Sequence, residues 1–61
     1  MFVQYEVWGT IDGRDELIDC VATLKEAELI AEDHMWECEE VYILKDEDGQ
    51  DPVEVKRVQG L

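Results

Sequence analysis

The chain contains 61 residues, of which seventeen are Asp or Glu and five are Lys or Arg, so its formal charge is −12. This length is sufficient for one small domain, residues 1–61, near the lower size limit at which a hydrophobic core alone supports folding. The negative charge repels phosphate groups, and we therefore expect neither direct binding of nucleic acid nor binding to an anionic membrane. The sequence contains no serine or asparagine, which excludes a serine nucleophile.

We expect neither a signal peptide nor a membrane span. The first residues contain no basic segment followed by a long apolar one, which a signal peptide requires. The longest apolar run covers only residues 41–44, far short of a membrane-spanning helix. Two cysteines without a secretion signal are typical of reduced thiols, so we expect a cytoplasmic protein.

The first third of the sequence predicts a β-hairpin. Residues 2–8 alternate Val3, Tyr5 and Val7 with polar side chains, which is the period-two pattern of a half-buried strand. The connection, residues 9–14, contains Asp12-Gly13, and both residue types tolerate the positive φ angles of a tight turn. Residues 16–22 form the returning strand of this predicted hairpin.

An amphipathic helix is predicted from residue 24 to about residue 37. Thr23 and Glu26 have the spacing of a capping box, in which the side chains satisfy free backbone N–H groups at the start of a helix. At about 100° per residue, the apolar side chains form one stripe that we expect to face the core. The stripe contains Leu24, Ala27, Ala31, Met35 and Cys38, with Ile30 and His34 at its edge.

Two further strands are predicted at residues 40–45 and 53–58, joined by an acidic turn around Asp48-Gly49. Pro52 is compatible with the start of a strand, where its missing N–H is not needed. The predicted fold class is therefore α+β, a two-layer β-β-α-β-β domain. Its four-stranded, mainly antiparallel sheet carries one helix on one face.

Two apolar features exceed what this fold needs for its own core. Leu29 and Trp36 are predicted to lie on the helix face opposite the core stripe, among acidic residues, where they could anchor a partner. The alternatives are that a loop or terminus covers them, or that the assumed rotation of the helix is wrong.

The sheet is the second such feature, because apolar side chains are predicted on both of its faces. If Val3, Tyr5, Val7, Val41, Ile43, Val53 and Val55 face the helix, then Phe2, Trp8, Tyr42, Leu44 and Val58 face away. A large exposed apolar patch is unusual for a monomer, so Phe2, Trp8, Tyr42 and Leu44 are the predicted interface of a homodimer. Alternatively, the methylene groups of Gln4, Glu6 and Lys56 cover this face of a monomer.

Metal binding and catalysis have little support in the sequence, and we predict no cofactor, no metal and no enzyme activity. His34 and Cys38 have the i, i+4 spacing of two zinc ligands, and Cys20 could lie beneath the helix. The sequence contains no Cys-x-x-Cys pair, however, and simple core packing explains both cysteines better. The acidic turn at residues 46–51 departs from a calcium loop because its glycine is misplaced and Arg57 stands where a bidentate glutamate is required. No pattern of paired acid and base in a pocket is recognisable.

Negative charge is concentrated in the second half of the chain. Residues 26–51 contain eleven acidic residues and one basic residue, so this segment carries −10 of the total charge of −12. Carboxylates on one helix face stand about 6 Å apart, which approximates the spacing of phosphates along a nucleic-acid strand. We therefore predict binding to a basic protein surface, that of a nucleic-acid-binding protein. The predicted partner-binding residues are Glu28, Leu29, Glu32, Asp33, Trp36, Glu37, Glu39 and Glu40.

In size, acidity and single-domain plan, the chain resembles the small inhibitors that phages and mobile elements encode, such as DNA mimics and anti-CRISPR proteins. This resemblance is one of composition and implies an inhibitory binding role. Three alternatives are that the acidity serves solubility, that it reflects a high-salt cytoplasm, or that it binds an ordinary basic patch. A non-catalytic dimeric accessory or structural module is the second functional interpretation.

Overall fold

The computed structural model describes residues 2–60, and they form one antiparallel sheet with one helix. The elements are β1 (Val3–Ile11), β2 (Arg14–Val21), α1 (Leu24–His34), β3 (Glu40–Glu47) and β4 (Val53–Gln59). The sheet order is β2-β1-β3-β4, and α1 packs across β1, β2 and β3. The predicted α+β fold with the order β-β-α-β-β is thereby confirmed. No helix within residues 2–60 is long and apolar enough to cross a membrane.

The first hairpin turns over two residues. Asp12 has a φ of 53° and Gly13 a φ of 75°, while Ile11 and Arg14 still pair across the strands. Two consecutive positive φ angles give the turn whose twist matches that of the flanking strands. The hairpin is therefore tighter than the predicted connection of residues 9–14, and the strands extend to its tip.

The helix begins at the predicted residue, because Thr23 caps it. The backbone N–H of Glu26 donates to the Thr23 hydroxyl oxygen at 3.2 Å, and that hydroxyl donates to the Glu26 carboxylate at 2.9 Å. The helix ends at His34, earlier than the predicted residue 37. Residues 35–37 form a turn after the helix, and Cys38, which follows this turn, is buried in the core.

The core lies between α1 and the middle strands β1 and β3. Ala27 and Ala31 are buried, as predicted, and their small side chains let the helix approach the sheet closely. Cys38 is also buried, whereas Leu24 lies at the rim. The fully buried apolar set is Val7, Ala27, Ala31, Cys38, Val41 and Ile43.

A β-bulge in the pairing of β3 with β4 reverses the expected faces of the last strand. The register shifts between Ile43 and Leu44, so that Val58 pairs with the buried Val41. Directly paired residues share a face of the sheet, and Val58 therefore lies on the helix side. The prediction that Val58 faces away from the helix is wrong, because one extra residue in a strand inverts its alternation.

Candidate functional site

Leu29 and Trp36 are both exposed, as the sequence predicts, but they do not share a helix face. Leu29 is on α1 with 56% of its surface exposed, and Trp36 is in the turn after the helix with 73% exposed. A tryptophan this exposed is covered by no described part of residues 2–60. The alternative that a loop covers these side chains is therefore wrong within this part of the chain.

The segment that carries Trp36 is fixed at several points. The N–H of Glu39 donates to the carbonyl oxygen of Thr10 at 2.8 Å, and the N–H of Gly60 donates to the carbonyl oxygen of Glu39 at 2.9 Å. Cys38 is buried against the backbone of Gly9. The exposed indole therefore belongs to a segment whose backbone is hydrogen-bonded to Thr10 of β1 and to Gly60.

Gly60 could not be exchanged for a larger residue without disturbing this segment. A Cβ atom at residue 60 would overlap the carbonyl oxygen of Cys38 and would lie 2.6 Å from that of Met35. The role of Gly60 was not predicted from the sequence, because nothing local to it indicates a contact with the segment that follows the helix.

Two of the predicted partner-binding carboxylates are engaged in ion pairs. Glu28 accepts from the Lys56 ammonium at 2.6 Å, and Glu40 forms an ion pair with Arg57. These cations come from the two faces of β4, and each neutralises a carboxylate on its own side of the sheet. The geometry therefore reduces the free negative charge at these two positions.

The other four predicted carboxylates form no ion pair with any residue between 2 and 60, namely Glu32, Asp33, Glu37 and Glu39. Glu32 and Asp33 are in the last turn of α1, and the other two follow it. The carboxyl end of a helix carries a partial negative charge, so a carboxylate there costs on the order of 0.3–1 kcal/mol. Helix stability does not explain this placement.

We call the exposed group Leu29, Glu32, Asp33, Trp36, Glu37 and Glu39 the helix-end surface. It combines an exposed apolar residue of the helix with an exposed tryptophan. Its carboxylates are exposed and form no ion pair among residues 2–60. His34 adds no free donor from Nδ1, since this nitrogen is 2.9 Å from the carbonyl oxygen of Ile30 and donates to it. The surface presents exposed carboxylates together with two exposed apolar side chains.

The sheet face turned away from α1, which we call the open face, carries one row of side chains across all four strands. Leu17 pairs with Trp8, Trp8 with Tyr42, and Tyr42 with Arg57. The rings of Trp8 and Tyr42 are within 5° of parallel with centroids 6.5 Å apart, and the Arg57 guanidinium carbon lies 4.8 Å from the Tyr42 centroid. The pKa of Tyr42 is raised, mainly by burial and secondly by the nearby Asp15. The charge of Arg57 acts in the opposite direction and lowers it.

The predicted dimer-interface residues are partly covered within one chain. Trp8, Tyr42 and Leu44 are half-buried, and Phe2 is exposed. Trp8 donates from Nε1 to Glu6 at 2.9 Å, so the Glu6 carboxylate lies beside the indole. The monomer alternative, in which the methylene groups of Glu6 cover this face, stays a prediction for that residue.

Lys56 does not contribute to that cover, contrary to the same alternative, because the bulge in β4 turns it to the helix side. Arg57 occupies the open face in its place. The importance of Arg57 was missed in the sequence because strict alternation along β4 assigns it to the other face.

The three candidate metal ligands are not brought together. Cys38 is buried on the helix side, whereas Cys20 pairs with Glu6 and is exposed on the open face. The expectation that Cys20 could lie beneath the helix is wrong, because its register places it on the opposite side of the sheet. Among residues 2–60, no three His, Cys, Asp or Glu side chains are grouped for a metal ion, and no pocket is found.

Neither thiol is activated by its surroundings. Desolvation is the main cause that raises the pKa of Cys20, followed by the charges of Glu6, Asp19 and Asp46. Desolvation likewise raises the pKa of the Cys38 thiol, with nearby carboxylates adding to the effect. Thiols with a raised pKa carry little thiolate near neutral pH, and a thiolate is the nucleophilic form.

No protein-family model, no curated protein and no solved structure matches this chain. What the chain does is therefore inferred from its own surfaces.

Proposed function

We propose that this protein is a small non-catalytic binding protein that docks its helix-end surface on a basic site of another protein. The observation that carries the proposal is the combination of four carboxylates that form no ion pair with residues 2–60 and a tryptophan that is 73% exposed. The charges stand at the negative end of α1, where folding disfavours them. Residues kept in an unfavourable place are candidates for a role outside folding.

The two kinds of side chain have different tasks in this proposal. Carboxylates act over distance, so they accelerate encounter with a basic surface and make association sensitive to salt. Trp36 acts at contact, because a large aromatic side chain that becomes desolvated on binding is the commonest kind of energetic anchor. Leu29 adds exposed apolar area on α1.

The proposed partner is a nucleic-acid-binding protein in the cytoplasm. A groove that binds phosphates is lined with Lys and Arg, and rows of carboxylates can occupy it in place of the nucleic acid. An inhibitor of the kind that phages and mobile elements encode is the form of this function that we favour. Glu28 and Glu40 are expected to contribute less than predicted from the sequence, because Lys56 and Arg57 neutralise them.

The experiment is a pull-down with the whole chain from the lysate of its host, with elution along a salt gradient. Capture of proteins that bind nucleic acid, competed by added DNA or RNA and lost at high salt, is the expected result. Capture that resists both salt and nucleic acid would contradict the proposal.

A matched pair of variants localises the interaction on the captured partner. Asp33→Asn removes one charge from the helix-end surface, and Asp51→Asn removes one from the turn at the opposite end of the sheet. Asp33→Asn is expected to slow association and reduce its salt dependence, whereas Asp51→Asn has a smaller effect. Trp36→Ala is expected to increase mainly the dissociation rate. Equal effects of the two Asp variants would show that only total charge matters.

A homodimeric accessory module remains the second proposal, with Phe2, Trp8, Tyr42 and Leu44 at its interface. The aromatic row on the open face favours it, since part of this row is still accessible to solvent. The charges oppose it, because five carboxylates share this face with the guanidinium of Arg57. They belong to Glu6, Asp15, Glu40, Asp46 and Glu54. Sedimentation at high micromolar concentration distinguishes the 7.1 kDa chain from a dimer of twice that mass.

A further inference from the structure

The pairing register relates the two hairpins by an approximate twofold rotation that passes between Trp8 and Tyr42. These two residues are direct cross-strand partners, and each lies in the inner strand of its own hairpin. The rotation exchanges β1 with β3 and β2 with β4. It superposes Trp8 on Tyr42 and Glu6 on Glu40, and it superposes Asp15 on Glu54 and Leu17 on Arg57.

One half of this arrangement holds a cation. The Arg57 guanidinium lies over the ring of Tyr42, with its carbon 4.8 Å from the ring centroid. Its terminal nitrogen is 2.6 Å from a carboxylate oxygen of Glu54, and the other terminal nitrogen forms an ion pair with Glu40. The hydrogen bond from Arg57 lowers the pKa of Glu54. An aromatic ring and two carboxylates thus form a complete guanidinium site within the chain.

The other half has the same three groups without the cation. Trp8 supplies the ring, and Glu6 and Asp15 supply the carboxylates. Glu6 is oriented by the Trp8 indole N–H at 2.9 Å, and Asp15 by the Thr10 hydroxyl at 2.8 Å. Leu17, which is 50% exposed, stands where Arg57 stands in the first half. Within residues 2–60, no Lys or Arg forms an ion pair with Glu6 or Asp15. We call Glu6, Trp8, Asp15 and Leu17 the Trp8 half-site.

We infer that the Trp8 half-site binds an arginine side chain of a partner protein, in the manner in which Tyr42 and its carboxylates bind Arg57. An indole attracts a cation more strongly than a phenol ring does. The planar guanidinium can stack on the ring while donating to both carboxylates, which a lysine ammonium cannot do in the same geometry. The half-site lies on the open face, so this inference does not depend on the proposed role of the helix-end surface.

A second copy of the chain is a poorer occupant than another protein. The open face carries five carboxylates against one guanidinium, so two copies brought face to face would repel each other. The free arginine that a second copy could offer from the described residues is Arg14, which lies at the tip of the first hairpin. The charge of the face therefore favours an arginine from a cationic partner.

The test uses the ¹⁵N-labelled full chain and an acetylated tetra-arginine peptide as the probe. The indole N–H resonances of Trp8 and Trp36 report separately on the half-site and on the helix-end surface. We expect a saturable shift of the Trp8 resonance and of the Leu17 amide. The matched tetra-citrulline peptide, which is neutral and of nearly the same shape, should cause no such shift.

A substitution that copies the symmetry-related residue provides the decisive variant. Leu17→Arg should fill the half-site from within, as Arg57 fills the other half, and should weaken the peptide's effect on Trp8 by about tenfold or more. Leu17→Met keeps the site open and should bind the peptide as the natural chain does. The amide spectrum of each variant verifies that it is folded.

Four results would overturn the inference. Citrulline and arginine peptides could shift Trp8 equally. The arginine peptide could shift only Trp36, in which case charge attraction at the helix-end surface is the whole effect. Leu17→Arg could leave the Trp8 response unchanged. The Trp8 resonance could also depend on protein concentration without peptide and lose this dependence in Arg14→Gln, which would identify a second copy as the occupant.

Discussion

Replacing Gly9 by alanine tests how the segment that carries Trp36 is held. A Cβ atom at this position would lie 2.7 Å from the Sγ atom of Cys38 and 3.0 Å from the terminal methyl carbon of Ile18. Both distances are well below the optimum of about 3.5–4.0 Å for non-bonded carbon atoms. Cys38 cannot easily withdraw, because the next residue, Glu39, is hydrogen-bonded on two sides.

Two opposing effects determine the size of the change. Forcing an extra methyl group into a packed core costs about 1–3 kcal/mol. Replacing glycine by alanine also restricts the unfolded chain, which stabilises the folded state by about 0.4–1 kcal/mol. We therefore expect Gly9→Ala to lower the free energy of unfolding by about 1–2 kcal/mol. In a domain of this size, that loss corresponds to a fall in melting temperature of roughly 5–15 °C.

Urea and thermal unfolding of a double-mutant cycle measure this contact. The cycle compares the natural chain with Gly9→Ala, Cys38→Ala and the double variant. Cys38→Ala removes the sulfur atom that meets the new methyl group. The free energy of unfolding of the double variant should therefore be about 1 kcal/mol higher than the sum of the two single effects predicts. Additivity within about 0.5 kcal/mol, or a stabilising effect of Gly9→Ala, would refute the packing of Cys38 against β1.

Three further predictions use the same whole chain. Thr23→Ala should cost about 1 kcal/mol of stability in urea unfolding, whereas Thr23→Asp should retain the helix cap. Iodoacetamide should modify Cys20 more slowly than it modifies glutathione at the same pH, because the pKa of the Cys20 thiol is raised. Cys38 is buried, so it should react only as fast as the chain opens. A Cys38 that reacts as fast as Cys20 would contradict this burial. Arg57→Gln should raise the pKa of Glu54, measured by NMR titration, towards its ordinary value of 4.5. Because the folded-state pKa is lowered, this pair stabilises the fold above pH 4.5, and the stability difference between the natural chain and Arg57→Gln should shrink as the pH falls below that value. A difference that persists at low pH would exclude the ion pair as its cause.

The order and type of all five elements could be predicted from the sequence because their signals are local. Alternation marks the strands, the Asp12-Gly13 pair forms the first turn, and Thr23 caps the helix at the predicted residue. The end of the helix was predicted too late, because the helical spacing of apolar residues continues through Met35 and Cys38 although the helix ends at His34. The contact of Cys38 with β1 joins residues distant in the sequence, and no local pattern indicates it.

The candidate surfaces were predictable in composition and unpredictable in arrangement. The sequence establishes that Leu29 and Trp36 exceed the needs of the core and that carboxylates surround them along the chain. Their exposure agrees with this expectation. The face of the last strand was predicted wrongly, because the bulge beside Leu44 is set by the fit between β3 and β4 and leaves no mark in the alternation of β4.

The sequence by itself determined the fold class, the helix cap, the first turn and the excess of negative charge, because each of these depends on residues close together in the chain. Only the tertiary structure decided which charges remain free. The bulge in β4 sends Lys56 to Glu28 on the helix side and Arg57 to Glu40 and Tyr42 on the open face. Coulombic pairing depends on distance in space. The carboxylates at the end of α1 and those beside Trp8 therefore form no ion pair with any described residue, although the sequence does not distinguish them from the paired ones.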